Sequence, residues 1–426
     1  MLDEPLTLPC GAVLPNRIAK AAMTEGLATP DGVPTGELER LYGLWSDGGA
    51  GLLLTGNVIV DHDHLERPGN VVIEREPDAE MAAALARWAK AGTRGGNHLW
   101  AQISHGGRQV QKSVNPAPKS ASDVQLALPG GQFARPVPLT REEIADLVNR
   151  WAVAAKACRE AGFTGVQVHA AHGYLVSQFL SPRANLRTDE YGGSLENRAR
   201  FLLEIVAAVR AAVGPDFPVS VKLNSADFQK GGFDFHDSLK VVEWLEEASV
   251  DLIEISGGTY EQPKLMGMEG MEEEEKQDVA PSTAAREAYF VDFAKAMQDE
   301  VAVPLMVTGG FRSRAAMEQA LAIGAADVIG LGRPMCVMTD APRRLLDGLE
   351  RLPRYEDDLE VIPSWLGFLK RLQVMKAVNG FAGMAWFYHQ LWMLGREGRT
   401  EEGMAPFKAF LALEKRNKAI LAARAG

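Results

Sequence analysis

Short apolar runs and longer amphipathic stretches alternate along most of this chain. Runs suited to buried strands lie at Ile18–Met23, Gly51–Val58, His98–Ser104, Gly165–His169, Val219–Asn224, Asp251–Ser256, Pro304–Thr308 and Asp327–Leu331. Between them, helical periodicity predicts helices at Gly36–Ser46, Ala79–Ala91, Arg141–Glu160, Leu195–Val213, Asp237–Ala248, Ser282–Glu300 and Arg314–Ile323. This alternation predicts an α/β protein, a (β/α)8 TIM barrel filling residues 1–350. No G-x-G-x-x-G follows the first strand, which counts against a doubly wound dinucleotide fold. From Arg351 the pattern turns wholly helical, and residues 351–426 read as a C-terminal helical extension. Its run FAGMAWFYHQLWML is apolar on nearly every face, yet it is too short to span a membrane and is broken by His389 and Gln390. Burial against the barrel or against a partner subunit suits it better, so a homo-oligomer is compatible with the pattern. The last segment, Glu401 to Gly426, reads as an amphipathic helix.

Strand parity carries chemical information. One parity of a barrel strand faces the helices, and the other faces an interior usually filled by Val, Ile and Leu. Here Leu99, Ala101 and Ile103 alternate with His98, Trp100 and Gln102; Val219, Val221 and Leu223 with Ser220, Lys222 and Asn224; Ile253 and Ile255 with Glu254 and Ser256. With Gln167 and His169, four strands aim amides, a carboxylate and a lysine at one axis. An unpaired buried amide costs ~1–3 kcal/mol and a charge costs more, so this means either a mutually satisfied network or a polar ligand. Lys222 favours a ligand, because a buried ammonium needs a negative partner such as Glu254 or an electron-rich cofactor.

Composition narrows the field. With 426 residues and 46% hydrophobic content the chain can bury a large core. A net charge of -11 with no basic cluster argues against a nucleic-acid partner. Cys10, Cys158 and Cys336 are too scattered for a disulfide framework or a metal knuckle, and the acidic N-terminus is no signal peptide. A cytoplasmic location is the resulting expectation. Two long loops, Val110 to Leu139 and Gly257 to Pro281, follow the third and sixth strands, where lids and substrate walls belong. Glu272–Glu275 reads as solvated loop, and His62 and His64 read as surface residues rather than ligands.

Two clusters carry candidate chemistry. After the fourth strand come His169, His172, Gly173 and Tyr174. They could be two imidazole donors on a carbonyl oxygen with Tyr174 as proton donor, satisfied core and loop histidines, or a metal pair lacking an evident third ligand. At the last two strands, Thr308-Gly309-Gly310-Phe311 and Gly330-Leu331-Gly332-Arg333 place glycines where backbone N–H groups can approach a phosphate, with Arg333 as a bidentate grip.

The run H-A-A-H-G-Y, the following Q-F-L-S-P, and N-x-R-x-D-x-Y-G-G-S-x-x-N-R resemble the old yellow enzyme family of FMN-dependent oxidoreductases over roughly the first 340 residues. The resemblance implies FMN as cofactor and NAD(P)H as electron donor. It implies that Ala22, Met23 and Thr24 lie along the flavin, with Thr24 at the O4/N5 edge, and that Gly56 sits beside the ring. Gln102 would contact the pyrimidine ring, Lys222 would stand by N1 and O2, and Gly309, Gly310, Gly332 and Arg333 would hold the phosphate. His169 and His172 would hold a substrate oxygen, Tyr174 would deliver a proton, and Tyr260 would be a further substrate contact. This chain departs from the family in lacking an aromatic after Thr24 and the cysteine cluster of the multidomain relatives, and in carrying the helical tail.

The expected activity is NAD(P)H-dependent reduction of the C=C bond of an α,β-unsaturated carbonyl compound, a small-molecule substrate. The alternatives are an FMN-dependent dehydrogenase or demethylase acting on an amine or cyclic alcohol, and a flavin-free lyase or isomerase using Lys222 on a sugar phosphate.

Overall fold

The computed structural model describes residues 1–128, 131–256, 293–359 and 373–424. Eight described parallel strands form a closed barrel. They are Ile18–Lys20, Leu52–Ile59, His98–Ser104, Gly165–Ala170, Val219–Asn224, Leu252–Ser256, Leu305–Thr308 and Val328–Leu331, called the first to eighth below. Each pairs with its sequence neighbour, and the eighth closes on the first through Ile329–Ile18, Gly330–Ala19 and Leu331–Lys20. The periodicity located every strand to within a few residues. The largest difference is the first, expected to reach Met23 but ending at Lys20. Ala21 still donates to the Leu331 carbonyl at 2.8 Å, but the chain then leaves the ladder to shape the rim.

Local chemistry sets the helix ends. Thr140 and Glu143 form a reciprocal capping box on Arg141–Ala161, which stops at Gly162 with φ 97°. Asp78, Ser194, Asp234 and Ser313 each accept a backbone N–H at their own helix N-termini. Of the expected helix Ser282–Glu300, residues 293–300 are described, and 293–298 are helical.

The barrel interior is apolar at its base. Ala19, Leu52, Leu54, Trp100, Leu252, Met306 and Val328 fill it, and Leu8 and Leu14 cap it from the short hairpin Leu6–Thr7/Val13–Leu14. Gly165, which pairs with Trp100, leaves room for the indole: a Cβ there would lie 2.5 Å from that ring. The opposite strand parity, with Leu99, Ala101, Ile103, Val219, Val221, Ile253 and Ile255, packs outward on the helices in one continuous core.

The described residues of the tail include two α-helices, Gln373–Glu397 and Pro406–Arg424, that pack on each other, the first also packing on Gly36–Asp47. Trp386, Leu391 and Trp392 are buried in the same core as the outer barrel wall. The expected amphipathic segment is helical, but it buries only Ala409 and Leu413 and exposes Phe407 and Leu411. Arg416 donates to the Gly26 carbonyl at 2.8 Å and Arg424 to that of His62 at 2.6 Å. The tail is therefore fastened to loops at the C-terminal ends of the first two strands, the face where a barrel site is built. No described helix is long and apolar enough to cross a membrane.

Candidate active site

Above the apolar base lies the polar layer that parity anticipated. Gln102 donates through Nε2 to Gln167 Oε1 at 2.7 Å; Gln167 in turn donates to Ser220 Oγ at 3.2 Å and to Glu254 Oε2 at 2.9 Å. Glu254 Oε1 lies 2.8 Å from Lys222 Nζ, and the Glu254 and Lys222 side chains are 0% and 4% exposed. Both ions are out of water, so each would be costly alone, and the pair with its amide donors is what makes the burial tolerable. The carboxylate is thus the partner the buried lysine required. A lysine engaged this way is a poor nucleophile, which weakens the sugar-phosphate lyase alternative.

At the rim, the fourth strand delivers His169, 3% exposed. Its Nδ1 accepts the Ala171 N–H at 3.2 Å, which assigns the ring proton to Nε2. His172 adopts φ 61°, unusual for a residue with a Cβ, and its backbone is clamped in that conformation. Its N–H donates to Asn224 Oδ1 at 3.1 Å, and its carbonyl accepts from Gln109 Nε2 at 3.0 Å. The His172 ring reaches Ser256 Oγ at 2.6 Å. The ring centroid of His169 lies 5.3 Å from that of His172 and 4.8 Å from that of Tyr174, both edge-on. Burial, with the Lys222 cation nearby, holds both histidines far below the ordinary imidazole range. They are neutral N–H donors at physiological pH, and with Tyr174 they form one cluster rather than three separate side chains.

At the seventh and eighth strands, Gly309 and Gly310 take successive positive φ values of 122° and 82°. A Cβ built on Gly309 or Gly332 would meet nothing within 4 Å, so open space borders both backbones. The Thr308 hydroxyl is buried with no hydrogen-bond partner among the described residues. Arg333 is half-exposed, 3.3 Å from Glu356 Oε1, which also accepts from Arg312 at 2.8 Å. Open backbone at Gly309 and Gly332 and the Arg333 guanidinium thus lie together at the ends of the last two strands.

The fourth wall, from Ala22 to Glu25 and across to Gly56, holds polar residues that the sequence pattern did not reveal. Gly56 passes beneath the first rim segment so closely that a Cβ would lie 2.4 Å from Glu25 Oε2, 2.5 Å from the Met23 carbonyl and 2.8 Å from Thr24 Cα. Its N–H donates to Glu25 Oε1 at 3.0 Å, and Tyr42 donates to the same oxygen. Lys20, fully buried, donates to the Leu54 carbonyl at 2.6 Å and lies 4.3 Å over the Trp45 ring; burial pushes its ammonium down to about 8. Thr24 donates to Glu66 Oε2 at 2.8 Å. Charged residues bracketing a rim motif were the available signal, but by default charges in loops are read as solvated. Tyr260 lies outside the described residues, as does the loop Gly257 to Pro281.

Asp61, His64 and His105 have metal-like spacing. His64 is buried, which corrects its reading as a surface residue; His62 is exposed as expected. His64 Nε2 accepts the Lys119 N–H at 2.8 Å and His105 Nδ1 the Gly107 N–H at 3.0 Å. Their protonated nitrogens therefore face Asp61 Oδ2, at 3.0 and 3.6 Å. Neither imidazole keeps a lone pair for an ion, and the trio is a brace between the second and third strands.

Residues 2–351 match the model of the NADH:flavin oxidoreductase / NADH oxidase family. The NADH-dependent flavin oxidoreductase iliE of Hypocrea jecorina is 38% identical over 363 residues, covering 80% of this chain and 88% of that protein. The NADH-dependent flavin oxidoreductase iccE of Talaromyces variabilis is 35% identical over 415 residues, covering 93% and 99%, so the likeness extends into the tail. Among solved structures, the old yellow enzyme homologue from Zymomonas mobilis superposes with a TM-score of 0.66 at 26% identity, covering 82% of this chain and 94% of that one. Morphinone reductase gives 0.65 at 25%, covering 83% and 91%.

Proposed function

The chain belongs to the NADH:flavin oxidoreductase / NADH oxidase family, the old yellow enzyme family, and is an FMN-dependent NAD(P)H oxidoreductase; within that activity we propose that it reduces the C=C bond of α,β-unsaturated carbonyl compounds. The observation that carries this reading is the trio His169, His172 and Tyr174: two neutral N–H donors and a phenol gathered at one strand end.

The residues present suit FMN. The open space beside Gly309 and Gly332, with Gly310 and Arg333, suits its phosphate. Gln102 and Lys222 suit its pyrimidine edge; Ala22, Met23, Thr24 and Gly56 suit the other. When bound, FMN supplies the relay that carries hydride from NAD(P)H to substrate.

The protein's own contribution is electrostatic and geometric. His169 and His172 hold the substrate oxygen, where negative charge grows as Cβ accepts hydride; donors aimed there bind the transition state better than the ground state. Because the imidazoles are neutral, they donate without surrendering a proton to that oxygen. Tyr174 gives its proton to Cα, and solvent restores it. Lys222, paired with Glu254, keeps positive charge beside the most electron-rich edge.

A half-reaction experiment tests this reading. Cyclohexenone should reoxidise the NADH-reduced protein, and Tyr174→Phe should slow that step roughly 100-fold while leaving reduction by NADH nearly unchanged. Equal losses in both half-reactions would remove Tyr174 as proton donor. Failure of any enone to reoxidise the flavin would favour the amine or cyclic-alcohol dehydrogenase.

A further inference from the structure

Thr24 has one hydroxyl proton, and that proton is committed. Its Oγ1 donates to Glu66 Oε2 at 2.8 Å, and Asn57 Nδ2 approaches the same hydroxyl oxygen at 3.5 Å. Glu66 is only 6% exposed, with Arg67 Nε 3.7 Å from its carboxylate. Arg67 is itself stacked at 3.8 Å on the Tyr388 ring, which comes from the first tail helix, so a packed cation stands beside the carboxylate.

We propose that Glu66 is a positioning residue that takes up the Thr24 hydroxyl proton, withholds that donor from the flavin, and so keeps the flavin potential low. The inference rests on the proposed placement of FMN beside Thr24. A threonine there is expected to donate to the electron-rich O4/N5 edge and ease reduction. In this chain the hydroxyl proton goes to Glu66 instead, so that donor is withdrawn, and a buried carboxylate stands behind the hydroxyl. Both features oppose the arrival of electrons in the ring, and both make the reduced ring a stronger hydride donor. The tail helix enters the arrangement through Tyr388, which fixes Arg67 and through it Glu66.

The test compares FMN-loaded wild type with Glu66→Ala, Glu66→Gln, Thr24→Ala and the Thr24→Ala/Glu66→Ala double variant. The readouts are the equilibrium with a reference dye and the FMN Kd from fluorescence quenching. Glu66→Ala should shift the equilibrium toward reduced flavin about tenfold, ~30 mV for a two-electron couple. Glu66→Gln, which keeps an acceptor but loses the charge, should shift it less, and in the Thr24→Ala background the Glu66→Ala shift should shrink to a small fraction. A purely structural Glu66 would weaken FMN binding and leave the equilibrium where it was, overturning the proposal. Glu66→Gln, nearly isosteric, separates the same two outcomes should Glu66→Ala fail to fold. If Thr24→Ala changes neither the equilibrium nor the Kd, the placement of the flavin beside Thr24 fails, and this inference fails with it.

Discussion

The neutral state of His169 and His172 has a consequence for stability as well as for binding. Each is held far below its ordinary range by burial and the Lys222 cation, whereas in the unfolded chain each titrates near pH 6.5. Between those limits the unfolded state binds more protons than the folded one, so stability rises with pH and falls as pH drops below about 6.5. The slope is about 1.4 kcal/mol per pH unit per histidine once the unfolded side chain is protonated. Urea denaturation between pH 7.5 and 5 should show this loss, and His169→Gln should flatten it by one histidine's share; an unchanged slope would mean that His169 is not the buried neutral group described here. His169→Ala should weaken binding of phenol-type ligands roughly 10- to 100-fold through loss of a buried donor. Glu254→Gln tests the interior pair. Leaving the Lys222 ammonium buried beside a neutral amide should cost ~3–5 kcal/mol in urea denaturation, and adding Lys222→Met should restore much of it.

At the scale of elements, what could be read from the sequence followed what repeats. Apolar alternation located the eight strands because each buries one face on helices and the other on the axis, and that demand recurs every second residue. It also placed Gln102, Gln167, Lys222 and Glu254 correctly on the axis. What remained hidden were groups whose burial depends on contacts remote in sequence. Glu25 and Glu66 lie in loops that no periodicity marks, yet one holds the Gly56 N–H and the other the Thr24 hydroxyl. His64 read as surface because nothing in DHDHLE announces the Lys119 N–H, which arrives from a loop 55 residues away. Gly56 shows how tightly such loops are held. Gly56→Ala would drive a methyl group into the Met23 carbonyl and Thr24 Cα, both backbone that cannot turn aside. It should cost ~1–3 kcal/mol in urea denaturation and weaken FMN binding with it. A variant as stable as wild type would show that the rim moves more freely than these distances allow.

For the molecule as a whole, the question is whether the tail is an appendage or part of the folding unit. Residues 2–351 match the family model, which would let the barrel stand alone, but the packing argues otherwise. Trp386, Leu391 and Trp392 lie in the same continuous core as Leu41 and Trp45 of the helix that backs the first strand. Trp45 in turn donates to the Met335 carbonyl just beyond the eighth strand, where the barrel closes. Arg40 donates to the Gly395 carbonyl at 2.8 Å, and the Arg416 and Arg424 contacts tie the last helix to the rim. A unit joined by so much shared apolar surface should unfold with the barrel. Trp386→Ala, at a position 2% exposed, should therefore lower the stability read from a single cooperative urea transition by ~3–5 kcal/mol, seen alike by tryptophan fluorescence and far-UV circular dichroism. Were the tail an appendage, the two probes would separate, an early transition moving with the substitution and a later one staying fixed. Since the tail also holds Arg67 beside Glu66, a cooperative result would mean that the seat of Thr24 is only as stable as the whole fold.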